Sequence, residues 1–321
     1  MTHILKIWLA IVAMLCAATA SAQPYPNRPL RIILPFAAGS TTDVIARIVG
    51  QKLSERLGQQ VVIEARPGAN GTVGSEAVAK AAPDGYTLLM ASNGTHGINA
   101  SMFSKLPYDP VKDFEPVIQV GVVSYILVAR NDLPAKNLTE LVALAKSRPG
   151  TISFGSTGSV VELGGTLLGL TTGVQFNRVP YKAPTQALVD LMGNRLDVLM
   201  EPAATLVQHI QAGSIRPIAV SSKQRSVLLP AVPSIAESGY PDFEVTAWLA
   251  FLAPAGTPAA AVARLNAELT QILNMQDVRA SLLQKGVEAA PTTPAKLGEN
   301  IKTEVAKWAK LFRDANIPKI N

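Results

Sequence analysis

RIILPFAAGSTTDVIARIVGQKLSERLG, residues Arg31 to Gly58, reads as one complete strand–turn–helix unit. Arg31 to Phe36 is a short apolar run of strand type, and Gly39 to Thr42 is a small polar turn. From there Val44, Ile48, Leu53 and Leu57 recur at helical spacing, and Gly58 suits the left-handed residue that closes a helix.

The same unit recurs along the chain. Val61 to Ala65 and Tyr86 to Ala91 are further strands, and Thr72 to Ala81 is a helix behind the turn cluster Pro67 to Gly71. Ser92 to Gly97 is another small polar turn before a short helix. Val117 to Ala129 is an apolar run broken by Gly121 and too long for one ordinary strand. A second round starts after Asn131. Asn137 and Glu140 form a capping-box pair ahead of a helix from Leu141 to Ser147. Strands are expected at Thr151–Phe154, Val174–Tyr181, Leu196–Met200 and Ile215–Val220, with helices between them. Val245 to Ala253 returns as a strand, and helices at Pro258–Leu273, Asp277–Lys285 and Pro294–Ala315 close the chain. Repeated βα units predict an α/β protein with mainly parallel sheets flanked by helices. Two rounds predict two lobes, residues 23–125 plus 246–321 and residues 126–245, with crossings near residues 125 and 245.

Composition removes whole classes of function. The 321 residues are 48% hydrophobic and 16% charged, which excludes a disordered chain. One cysteine, Cys16, and three histidines, His3, His96 and His209, leave nothing for a disulfide framework or a metal cluster. The net charge of +6 is scattered, without the basic cluster that nucleic acid requires. At the N-terminus, Lys6 precedes an apolar run from Ile7 to Ala18, and Ala20-Ser21-Ala22 forms a cleavage pattern. Residues 1–22 are therefore expected to be a secretory signal peptide, leaving a soluble, cysteine-free chain from Gln23 in the periplasm. No phosphate-binding, dinucleotide-binding, nucleophile-elbow or zinc-protease motif is present, nor an evident nucleophile–base pair. The expectation is a non-enzyme without metal or cofactor.

Three turns carry the positive signal: Gly39-Ser40-Thr41-Thr42, Ser92-Asn93-Gly94-Thr95 and Ser156-Thr157-Gly158-Ser159. Each follows a strand and opens a helix. Glycine admits close backbone approach, hydroxyls cap or donate, and a helix N-terminus attracts an anion. In parallel α/β sheets such turns gather at the carboxyl ends of the strands, where ligands bind. Any one of them also reads simply as an N-cap; three together point to a cleft for a small anion. His96 lies in such a turn, whereas His209 sits in a helix.

The residues resemble the periplasmic solute-binding receptors of the tripartite tricarboxylate transporter family, often called Bug receptors. The resemblance is carried by YPNRPLRIILPFAAGSTTDVIAR (Tyr25 to Arg47), PDGYTLL (Pro83 to Leu89), LPYDPVKDF (Leu106 to Phe114), VPYK (Val179 to Lys182) and LAPAGTP (Leu252 to Pro258). It implies the two-lobed periplasmic-binding-protein architecture and a monomer that captures a small carboxylate in the interlobe cleft. It also implies a membrane transporter as the partner receiving that ligand, with an enzyme on the same scaffold or a sensor for a signalling partner as alternatives. Carried over by position, the ligand-binding set is Phe36, Ala37, Gly39, Ser40, Thr41 and Thr42 from the first turn, and Ser92, Asn93, Thr95 and His96 from the next. The second lobe supplies Ser156, Thr157, Gly158, Ser159, Tyr181, Lys182 and Ala183, with Glu201 at a strand end. Lys182 reads either as a partner for a distal carboxylate or as a solvated lysine. The chain departs from the family pattern with a shortened Ser156 turn, Glu162 where histidine is common, Ala183-Pro184 for a glycine pair, and Ala100 for proline.

Overall fold

In the computed structural model, residues 25–321 are described, and the expected signal peptide lies outside them. Strand β1 (Leu30–Leu34) is followed by helix α1 (Thr41–Leu57), β2 (Val61–Ala65), α2 (Thr72–Ala79) and β3 (Thr87–Ser92). A single π-turn (Gly94–Ile98) and the short α3 (Asn99–Met102) lead to β4 (Phe114–Ala129). The second round runs α4 (Leu138–Ser147), β5 (Ser153–Ser156), α5 (Ser159–Thr172), β6 (Asn177–Pro180), α6 (Pro184–Met192), β7 (Val198–Pro202), α7 (Ala203–Gln211) and β8 (Arg216–Val220). The chain closes with β9 (Thr246–Pro254), α8 (Ala259–Asn274), α9 (Gln276–Gln284), β10 (Glu288–Ala289) and α10 (Pro294–Asp314).

Within each round the βα units pair in parallel: β1 with β2 and β3, β5 with β6 and β7. The strands linking the rounds run against them, so both sheets are mixed. Strand β4 is one continuous strand of 16 residues. Over Phe114 to Ser124 it pairs antiparallel with β9, and from Tyr125 to Ala129 it pairs with β7 and β8. Its length comes from serving two sheets in turn. Gly121 does not break it. A Cβ there would stand 2.6 Å from the Glu288 carbonyl oxygen, so glycine is what lets β10 pair against this edge.

Helices cover both faces of each sheet. In the first lobe, α1, α8 and α9 bury Ile45, Val49, Leu53, Leu265, Leu269 and Leu282 on one face, and α2 and the first half of α10 bury Val78, Leu297 and Ile301 on the other. In the second lobe, α4 and α5 pack on one side, α6 and α7 on the other. Helix α10 belongs to both: its later residues Trp308, Leu311 and Phe312 join the core built largely from the second sheet. At the crossings, the fully buried Ser221 accepts from the Tyr125 amide (3.2 Å) and donates to the Val245 carbonyl (2.5 Å), tying the outgoing strand to the returning one.

Candidate functional site

Between the carboxyl ends of the first-lobe strands and the N-terminus of α5 lies a cavity of about 430 Å³. The first lobe lines it with Pro35, Phe36 and Ala37 after β1, with Pro67 to Gly71 after β2, and with Ser92, Asn93 and Gly94 after β3. Ile98, Asn99 and Met102 form its floor, and Ser159 and Val160 supply the second-lobe wall.

The three sequence turns take different parts in it. In the first, Phe36 and Ala37 face the cavity while Gly39, Ser40, Thr41 and Thr42 do not line it. Ser40 caps α1, its hydroxyl accepting from the Asp43 amide at 3.3 Å. The buried Asp43 carboxylate turns back to accept from the Gly39 amide at 2.9 Å, with Arg47 Nε 3.0 Å from its other oxygen. The Gly39 hydrogen bond holds this carboxyl below the usual carboxylate range. The start of α1 therefore carries a hydroxyl cap from Ser40 and an anion of the chain's own in its first turn.

The next turn is a self-contained knot. The Ser92 amide donates to Thr95 Oγ1 (3.1 Å), and the Thr95 hydroxyl donates back to the Ser92 carbonyl (3.1 Å). Ser92 and Asn93 line the cavity, but Thr95 and His96 lie behind it. His96 is fully buried, stacked against Tyr108 and edge-on to Phe114, and burial pushes its pKa down to about 3. It is a neutral core histidine, because charging it there would go unpaired.

In the second lobe, Gly158 is the N-cap of α5 and no side chain caps the helix. Its φ of 173° is ordinary extended backbone, and a Cβ built on it meets nothing within 4 Å. The first amides of α5 thus keep the unsatisfied donors of a helix start, directed at the cavity wall made by Ser159 and Val160. Ser156, Thr157 and Gly158 stand just outside the lining. Ser156 is buried, and its carbonyl accepts from the Tyr181 amide at 2.7 Å. Glu201, also buried, accepts from the Thr157 hydroxyl, and burial raises its pKa. Glu201 therefore braces the turn from behind. Tyr181, Lys182 and Ala183 do not line the cavity: the Tyr181 hydroxyl donates to Asp190 at 3.0 Å, and Lys182 is exposed.

By its sequence alone, Pro67 to Gly71 reads only as a turn. Gly68, Ala69, Asn70 and Gly71 all have positive φ (142°, 43°, 53° and 85°), and a Cβ on Gly71 would stand 2.6 Å from Thr95 Cγ2. Left-handed backbone at Ala69 costs about 1–2 kcal/mol, a strain retained here against a cavity. The Asn99 amide steadies it, donating to the Asn70 carbonyl at 3.1 Å. The available signal was the glycine pair following a strand on the same carboxyl edge as the other turns. Among the described residues no group of three or more His, Cys, Asp or Glu could hold a metal ion. None of their helices is long and apolar enough to cross a membrane.

Known proteins share this fold. The model of the tripartite tricarboxylate transporter family receptor matches residues 45–317. Protein BugT of Bordetella pertussis is 37% identical over 318 residues, 98% of each chain. Among solved structures, Rpa4515 of R. palustris with adipate is 33% identical, covers 92% of this chain and all of that one, and superposes with a TM-score of 0.73. A solute-binding protein from Polaromonas, without ligand, is 25% identical over 90% of this chain and 99% of that one, with a TM-score of 0.83. By sequence and by fold, the chain belongs to the tripartite tricarboxylate transporter receptor family.

Proposed function

We propose that the protein is a periplasmic receptor that captures a small carboxylate between its lobes and hands it to a membrane transporter, acting by binding rather than by turnover. The observation that carries this reading is the cavity itself. It is walled by both lobes and faced on the second-lobe side by the uncapped end of α5. A carboxylate there completes the donors that the chain leaves unsatisfied. Family membership and the adipate held by Rpa4515 support the same ligand class. In this reading residues 23–125 plus 246–321 and residues 126–245 close on each other as units. The partner exchange of β4 after Ser124 supports a hinge at that point.

The test is a thermal-shift screen of the secreted chain over mono-, di- and tricarboxylates, followed by calorimetry on the hits. A true ligand at 100 times its Kd stabilises the protein by about 2.7 kcal/mol. Absence of any stabilising carboxylate, or release of an altered ligand after incubation, refutes the reading.

A further inference from the structure

We infer that the segment after α10 positions the ligand site, with Ile320 holding the cavity floor in its binding shape. The inference rests on the carboxylate-receptor reading and adds to it residues that do not line the cavity. The floor stands on the π-turn and α3, a helical stretch from Gly94 to Met102. Isolated helices need about 12–15 residues to be stable, so this stretch is held by its surroundings. Its far end is tied by the segment after α10. The Ile320 amide donates to the Met102 carbonyl (2.8 Å), and the Ser104 amide donates to the Ile320 carbonyl (2.9 Å), making a parallel bridge between Phe103 and Ile320. The Ser104 hydroxyl donates to Asn321 Oδ1 at 2.8 Å. From Met102 the contacts run on into the strained turn: Asn70 Nδ2 stands 3.5 Å from Met102 Sδ, and the Asn70 carbonyl accepts from Asn99.

An exposed bridge persists only where its ends are kept close, and here the leash is short. Ile317 packs against the core that Trp308, Leu311 and Phe312 share with the second sheet, and its amide donates to the Phe312 carbonyl at 2.9 Å. Only Pro318 and Lys319 separate it from Ile320, and the proline removes further freedom. Leu311 in turn shares a groove with Leu167 and Leu170 of α5, the helix whose start forms the opposite cavity wall. One strap thus links the floor in the first lobe to the helix that faces it from the second.

The experiment compares the secreted chain with a chain ending at Lys319 and with Ile320→Pro, which removes the N–H given to Met102. Calorimetry at pH 7.5 uses malate, adipate, benzoate and citrate, and the tightest for the wild type is titrated into both variants. Loss of Ile320 and Asn321 should raise its Kd about fivefold or more, with Ile320→Pro shifted the same way, while thermal unfolding shows both variants folded. Coupling is reciprocal, so saturating acid should slow hydrogen exchange at the Ile320 and Ser104 amides of the wild type by the same factor. A strap that only stabilises the fold lowers the unfolding midpoint and leaves Kd and this protection unmoved, an outcome that overturns the inference while the receptor reading stands. A raised Kd without added protection, or Ile320→Pro binding like the wild type, overturns the assignment to Ile320. Binding of none of these acids by the wild type removes the receptor reading, and this inference with it.

Discussion

Two helix starts with nearly the same turn chemistry end in opposite states. Before α1 stands Gly39-Ser40-Thr41-Thr42, and before α5 stands Ser156-Thr157-Gly158-Ser159. Counting from the N-caps Ser40 and Gly158, the third helical residue is Asp43 in one and Val161 in the other. The acid at that position folds back onto the Gly39 amide ahead of the cap; the valine buries itself in the core. The acid of α5, Glu162, comes one residue later, on the exposed side, 3.5 Å from Arg178. The two starts differ at the cap, Ser40 against Gly158, and again at the third residue inside the helix, Asp43 against Val161.

The sharpest way to break this contrast is to close the open helix. Gly158→Asp puts a carboxylate at the N-cap of α5, where the extended backbone and open space accept a side chain. It should stabilise the fold by a few tenths of a kcal/mol to about 1 kcal/mol through capping and the helix dipole. It should also weaken carboxylate binding by about a hundredfold, roughly 2.7 kcal/mol, because the new side chain occupies the ligand's place. Thermal unfolding and calorimetry on the same preparation check both signs. Unchanged affinity in Gly158→Asp means that the ligand carboxylate binds elsewhere.

Much of this frame is legible from spacing alone. The βα alternation, the capping box in which Glu140 N donates to Asn137 at 2.9 Å, and the long run that crosses between sheets all follow from local pattern. What the pattern cannot carry is direction. Nothing local to Thr95-His96 says that the ring turns inward between Tyr108 and Phe114, residues that follow in a separate loop and strand. The Pro67 to Gly71 loop escaped for a related reason: its four positive φ angles make sense only once Thr95, Asn99 and Pro35 are packed beside it. Lys182 follows Tyr181, whose hydroxyl is claimed by Asp190, and stands clear of the cavity lining.

The reverse change opens the closed helix. Asp43→Ala removes the anion from the start of α1 and should cost about 1–2 kcal/mol of stability at pH 7, the usual range for a lost cap with its charge. Because the folded carboxyl titrates below its ordinary value of 3.8, its contribution is complete above that value and disappears as pH falls through the lower, folded one. The gap between wild type and Asp43→Ala should therefore stay constant from pH 7 to about 5 and shrink below about pH 3.8. Denaturant titrations at several pH values measure it. A gap that widens on acidification would mean that Asp43 is not held as the anion described.

The smallest contrast compares one hydroxyl from each turn. Ser159 lines the cavity beside the open amides of α5, whereas Thr41 opens α1 behind a cap already closed and lies off the lining. A hydroxyl donating to a carboxylate contributes about 1.5–3 kcal/mol when fully shielded. At an exposed residue such as Ser159, water takes up much of that role, so Ser159→Ala should weaken binding about three- to tenfold. Thr41→Ala should change affinity less than twofold, because the Ser40 hydroxyl and the Asp43 carboxylate keep the turn in place without it. Parallel calorimetric titrations of the two variants decide the order. If Thr41→Ala proves the more damaging, the first turn reaches the ligand after all, and the closure of α1 by Asp43 does not exclude it from recognition.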